Sequence, residues 1–88
     1  MNNQQEINAL IVDYLEVRNA ILQLDFILSL IQNQIVRLSQ MGDNEAQINA
    51  LIQDAFIIQQ VILQLTSILL LIQAEIVRLS SDNSANAA

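Results

Sequence analysis

Nine carboxylates and three arginines carry all the formal side-chain charge of this 88-residue chain, and no histidine, cysteine or lysine accompanies them. That removes the common general base at neutral pH, the thiolate nucleophile and the Schiff-base amine. The carboxylates are the one remaining source of site chemistry. Asp13 and Glu16 lie three apart, which puts them on one side of a helix, and Asp54 repeats Asp13 later in the chain. A di-metal site in a helical bundle wants Glu-x-x-His pairs projecting into the core, and the chain has none. These acids read as solvated flank residues that keep the surface wet. Tyr14 sits at core spacing and reads as packing, not as a ligand contact. The expectation is therefore no catalytic residue, no cofactor and no metal.

Charge narrows the partners. The net charge is −6 and the pI about 4.1. Nucleic-acid binding needs a basic footprint, and Arg18, Arg37 and Arg78 do not make one. Anionic membrane surfaces are disfavoured for the same reason. The first six residues are polar and not basic, so no signal peptide is visible. This favours the cytoplasm, with export to the cell surface by another route left open.

The elements that position these residues come from a repeat. A shift of 41 positions lays Ile7-Asn8-Ala9-Leu10-Ile11 on Ile48-Asn49-Ala50-Leu51-Ile52, and Ile35-Val36-Arg37-Leu38-Ser39 on Ile76-Val77-Arg78-Leu79-Ser80. Of the 34 pairs from Ile7/Ile48 to Gln40/Ser81, 20 are identical. Such tandem units usually share an apolar face that neither buries alone, and inexact identity suits duplication followed by drift.

Each unit has a 3.5-residue apolar period. With Ile7 at heptad position a, the first unit places Ile7, Leu10, Tyr14, Val17, Ile21, Leu24, Leu28, Ile31, Ile35 and Leu38 at a and d. The second places Ile48, Leu51, Ala55, Ile58, Ile62, Leu65, Leu69, Ile72, Ile76 and Leu79 there. This is coiled-coil spacing. Between the units stands Met41-Gly42-Asp43-Asn44-Glu45, with the only glycine of a proline-free chain. Gly42 suits a left-handed helix end, and Asp43 or Asn44 suits the start of the next helix. Folding back at Asp43 pairs residues whose numbers sum to 86, and every a residue then meets a d residue.

The predicted fold is all-α. It is one domain, residues 1–88, built as an antiparallel helical hairpin of two heptad-patterned helices. The first helix spans 4–41 behind an Asn3/Glu6 capping box, the turn 41–45, the second helix 44–81, and residues 82–88 form a frayed tail. Arg37 and Arg78 are expected in the last turns of their helices, with Arg78 near Glu6 and Arg37 near Ile48.

The hydrophobic share is 53%, too large for so thin an object. Leu24, Leu28, Ile58 and Ile62 are assigned to the hairpin seam. Leu22, Ile27, Leu63, Ile68 and Leu70 lie off it and are assigned to a second, intermolecular face, since exposed apolar patches of this extent mark interfaces. Asp25, Arg18 and Glu16 are placed to make register-fixing salt bridges between hairpins. The amides of Gln23/Gln64 and Gln32/Gln73 are placed to pair across the same contact. The functional reading is a structural, self-assembling protein whose partner is itself, as a four-helix bundle or a larger helical array.

One alternative is a membrane-inserted or lipid-surface hairpin, because 55–72 approaches the length of a span. Asp25 opposes it, since a mid-bilayer aspartate costs about 2.5–3.5 kcal/mol. Helices nearly twice the thickness of the hydrocarbon core oppose it too. A designed helical bundle is a second alternative, less consistent with a lysine-free, amide-rich surface.

Overall fold

The computed structural model describes the backbone of residues 3–87 and the side chains from Asn3 to Asp82. Two helices, α1 (Gln4–Met41) and α2 (Glu45–Ala87), pack along their length as an antiparallel hairpin. The Cα extents are 69 × 14 × 13 Å, a rod only two helices wide.

The heptad predicts the seam residue by residue. All twenty a and d side chains are buried or half-buried. Ile7, Leu38, Ala55 and Leu79 are the most enclosed. Two of these, Ile7 and Leu79, are the pair that the register sum places together at the open end. Ala55, placed opposite Ile31 by the same register, is enclosed because its small side chain does not extend beyond the seam. The other seam residues, Leu24, Leu28, Ile58 and Ile62 among them, are half-buried, since one neighbouring helix covers only one side of each. At the level of Tyr14 the Gln73 amide donates to the tyrosine hydroxyl at 3.2 Å. That bond ties the helices at the predicted register, in which Tyr14 meets Ile72.

The turn differs in detail from the expectation. Gly42 has φ 76° and ψ 162°, an extended positive-φ conformation open to glycine and strained for other residues. It is not the left-handed helical cap. Asp43 takes a left-handed φ of 51° instead, which Asp tolerates better than most residues. Asn44 is the residue before α2, and its carbonyl accepts from the Ile48 amide at 2.9 Å. Its side chain points the other way. The Asn44 Nδ2 donates to the Gly42 carbonyl at 2.6 Å and to the Leu38 carbonyl at 3.3 Å. Asn44 thus satisfies carbonyls at the end of α1, where unpaired acceptors gather.

Three end effects also differ. The Asn3 side chain makes no capping hydrogen bond to α1, so the capping box does not form; the backbone bond from Ile7 N to Asn3 O at 2.9 Å starts the helix. The second helix continues to Ala87, past the predicted end at 81. Nothing in Asp82–Ala87 breaks a helix, alanine favours one, and the Arg78–Asp82 pair spans the entry to this stretch. Arg78 is therefore not in the last turn of α2, and Arg37, four residues before Met41, also falls outside the last turn of α1. Met1, Asn2 and Ala88, the outermost residues of the predicted lead and tail, lie outside the described residues.

Candidate interaction faces

Once the seam is closed, each helix retains flanks at e and b on one side and at g and c on the other. Because the helices run in opposite directions about a shared seam, like-lettered flanks fall on the same side of the hairpin. The rod therefore has an e/b face and a g/c face, each built from both helices.

The five assigned interface residues are all exposed in the hairpin, and they divide between the two faces. Leu22, Leu63 and Leu70 are at b, with exposures of 54%, 61% and 60%. Ile27 and Ile68 are at g, lie lower against the seam, and are 42% and 43% exposed. The hairpin does not gather these five into one patch. It also exposes large apolar side chains that the shorter assignment omits. Ile11, Leu15, Val36, Ile52, Phe56 and Val77 belong to the e/b face, and Leu30, Ile57 and Leu71 to the g/c face. Their heptad positions were the available signal: b and c are as open to solvent as f whenever only one helix lies alongside.

Charge separates the faces more sharply. Over the five heptads of each helix, the twenty e and b positions hold two charges, Arg18 and Asp25. Those of α2 hold none. The g and c positions hold five carboxylates, Asp13, Glu16, Asp54, Glu75 and Asp82, against Arg37 and Arg78. Glu6, Asp43 and Glu45 cluster at the ends. From Ile7 to Leu38 and from Ile48 to Leu79 the e/b face is electrically neutral; Glu45, which continues the e row in the first turn of α2, adds one carboxylate at the turn end, and the rest of the net charge of −6 lies elsewhere.

The described ion pairs are on the g/c side. Arg78 holds Glu75 through two hydrogen bonds, Nε to Oε2 at 3.1 Å and Nη2 to Oε1. Its Nη1 reaches Asp82 at 3.2 Å. Arg78 thus pairs along its own helix, and Glu6, its expected neighbour across the hairpin, adds only a weak electrostatic effect. The guanidinium hydrogen bonds hold the Glu75 carboxyl below its ordinary range and, with the Glu75 charge, raise Arg78 above its own. Among the described residues, Arg18, Asp25 and Glu16 make no ion pair within the hairpin.

Two shallow surface grooves accompany the apolar residues. One, on the e/b side of α2, is lined by Leu70, Gln73, Ala74 and Val77. The other, along the outside of α1, is lined by Asn19, Leu22, Gln23, Phe26 and Ile27. Both are apolar clefts between turns of one helix, without a convergent polar group. Among the described residues no three carboxylates come together as a metal site. Within Glu45–Asp82, α2 has an 18-residue window long and apolar enough to cross a membrane, and almost none of it is buried by α1. Comparison with protein-family models, characterised protein sequences and solved structures finds no match to this chain.

Proposed function

We propose that this hairpin is a non-catalytic structural protein that assembles with copies of itself through the faces its own fold leaves uncovered. The observation that carries the reading is the row of exposed leucines, isoleucines, valines and phenylalanines on both sides of the seam. Burying one such side chain fully is worth roughly 1.5–3 kcal/mol. A rod two helices wide has no interior in which to do so, whereas a second hairpin laid against it does. Two hairpins face to face make a four-helix bundle. Further stacking on the opposite face makes a larger helical array. The residue types support a role without catalysis, because the side chains that usually serve as base or nucleophile are missing.

A membrane hairpin is the second reading, favoured by the apolar window of α2. Against it stand Asp25 in the middle of the apolar stretch of α1 and Gln59, Gln60 and Gln64 in that of α2. Helices of 38 and 43 residues also far exceed the roughly 20 residues that span a bilayer core.

Sedimentation equilibrium of the purified chain in detergent-free buffer tests both. A single mass of two to four chains fits a closed bundle, and very large helical species fit an open array. A monomer overturns the self-assembly reading, and material soluble only in detergent moves the membrane reading ahead of it.

A further inference from the structure

We infer that two copies pack through their e/b faces with their turns at opposite ends, so that Arg18 of each copy meets Asp25 of the other. The inference rests on the self-assembly reading and adds the face, the orientation and the register.

Three observations lead to it. Along the two repeats the charges of the e/b face balance, with Glu45 as its one surplus carboxylate at the turn end, while the rest of the chain carries the remaining excess negative charge. A second copy is itself a −6 molecule, and the e/b face is where two copies approach with the least surplus of like charge. This face also carries the longer row of exposed apolar side chains, from Ile11 and Val77 at one end to Val36 and Ile52 at the other. The Cα outline of 69 × 14 Å exceeds the roughly 800 Å² per partner typical of a stable interface.

The two charges fix the orientation. Arg18 and Asp25 lie one heptad apart on α1, about 10.5 Å along the axis, too far to pair with each other. If the turns lay at the same end, α1 of one copy would lie over α2 of the other. The one charge on the e/b flank of α2 is Glu45 in its first turn, far along the axis from Arg18 and Asp25, so both would be covered unpaired, a costly arrangement. With the turns at opposite ends, α1 lies over α1. A two-fold axis midway between residues 18 and 25 then brings Arg18 to Asp25 twice.

The same axis passes α2 at the level of Gln64–Leu65, by the register of the hairpin. Phe56 lies as far to one side of that level as the groove of Leu70, Gln73, Ala74 and Val77 lies to the other. Those four residues form the diamond-shaped hole that receives a knob from a facing helix. The phenyl ring of the other copy is the knob, and Leu22 and Leu63 meet at the centre. Charge placement and groove placement thus give one register independently.

The test combines a charge swap with a distance. R18D and D25R each place like charges at both contacts, and the double variant R18D/D25R restores opposite charges. By sedimentation equilibrium, each single variant should dissociate about 100-fold more readily than the native chain, and the double variant should recover to within about threefold. Circular dichroism on every variant reports whether the helices remain. Independently, Q40C provides a single attachment site at f, outside both faces. Spin labels there should lie about 55 Å apart across the pair, at 1.5 Å per residue. Labels within about 25 Å, or an associated chain indifferent to the swaps, overturn the e/b antiparallel arrangement while leaving self-assembly standing. A native chain that is monomeric throughout overturns both.

Discussion

The e/b and g/c faces of the hairpin are both apolar, yet they differ in what else they carry. On the g/c face the apolar residues form an island, Ile27, Leu30, Ile57, Ile68 and Leu71, between groups of carboxylates. On the e/b face the apolar row runs nearly end to end, interrupted by amides, hydroxyls and one opposite-charge couple. Apolar area alone does not distinguish a contact surface from the rest of a crowded rod. The placement of charge does, because two acidic copies repel wherever their carboxylates approach and attract only where those are withheld. The comparison teaches that the first contact and any further stacking should be unequal: strong through e/b, weaker and more dependent on pH and salt through g/c.

The largest effect expected is from L63E/L70E. Two charges per copy on the e/b face, four in the pair, should weaken association roughly 1,000-fold, at about 1 kcal/mol for each leucine replaced. Helix content should remain, because neither residue enters the seam. Equal mass with collapsed helicity in circular dichroism would show that both belong to the hairpin's own core. The matched change on the other side, I57E/L71E, should leave the smallest assembled species intact and affect only larger ones. An equal loss from both pairs, read by sedimentation, removes the distinction between the faces.

Seam substitutions should act on folding. I58A removes a half-buried side chain at the centre of the hairpin and should cost about 1–3 kcal/mol, below the 2–5 kcal/mol of a fully enclosed isoleucine. Urea unfolding at several protein concentrations separates this from an effect on association. The native midpoint should itself rise with concentration, because association draws on the folded hairpin. G42A should cost about 1–3 kcal/mol, from backbone strain at φ 76° rather than from a clash, since nothing lies within 4 Å of an added Cβ.

The smallest effect is electrostatic. Glu75 has its carboxyl held down by Arg78, so its contribution is present above the ordinary carboxylate pKa and is lost as pH falls through the lowered folded value. The pair lies at the surface, Arg78 exposed and Glu75 half-buried, where solvent screens it, so E75Q should lower the thermal midpoint only slightly at pH 7. The difference from native should vanish at pH well below 4.5. A difference that persists there assigns Glu75 a packing role instead.

Much of the fold was legible before any coordinates. Heptad spacing alone identified the twenty seam positions, because a 3.5-residue period leaves one stripe in constant contact with a partner helix. The lone glycine located the reversal, and the Tyr14–Gln73 bond falls one residue from the pairing of Tyr14 with Ile72 that the register sum of 86 requires. Less legible were the helix ends. Asn44 could cap either helix by residue type, and only the three-dimensional path of the turn directs its amide to Leu38 and Gly42. Arg78 had acidic neighbours along its helix and across the seam, and side-chain reach decided for Glu75 and Asp82.

The candidate contact surface was half legible. Composition showed that more apolar surface exists than one seam can hide, and it nominated Leu22, Ile27, Leu63, Ile68 and Leu70 together. A one-dimensional pattern records angles about each helix separately and does not say which flanks share a side. That follows only when the chain reverses and α2 lies antiparallel on α1, bringing e to e and g to g. The sequence by itself determined the helices, the seam and the excess of apolar residues, since each depends on local periodicity and composition. Tertiary structure decided how that excess divides into two faces and which of them carries the fewer carboxylates, because a face of this molecule exists only where two distant segments lie side by side.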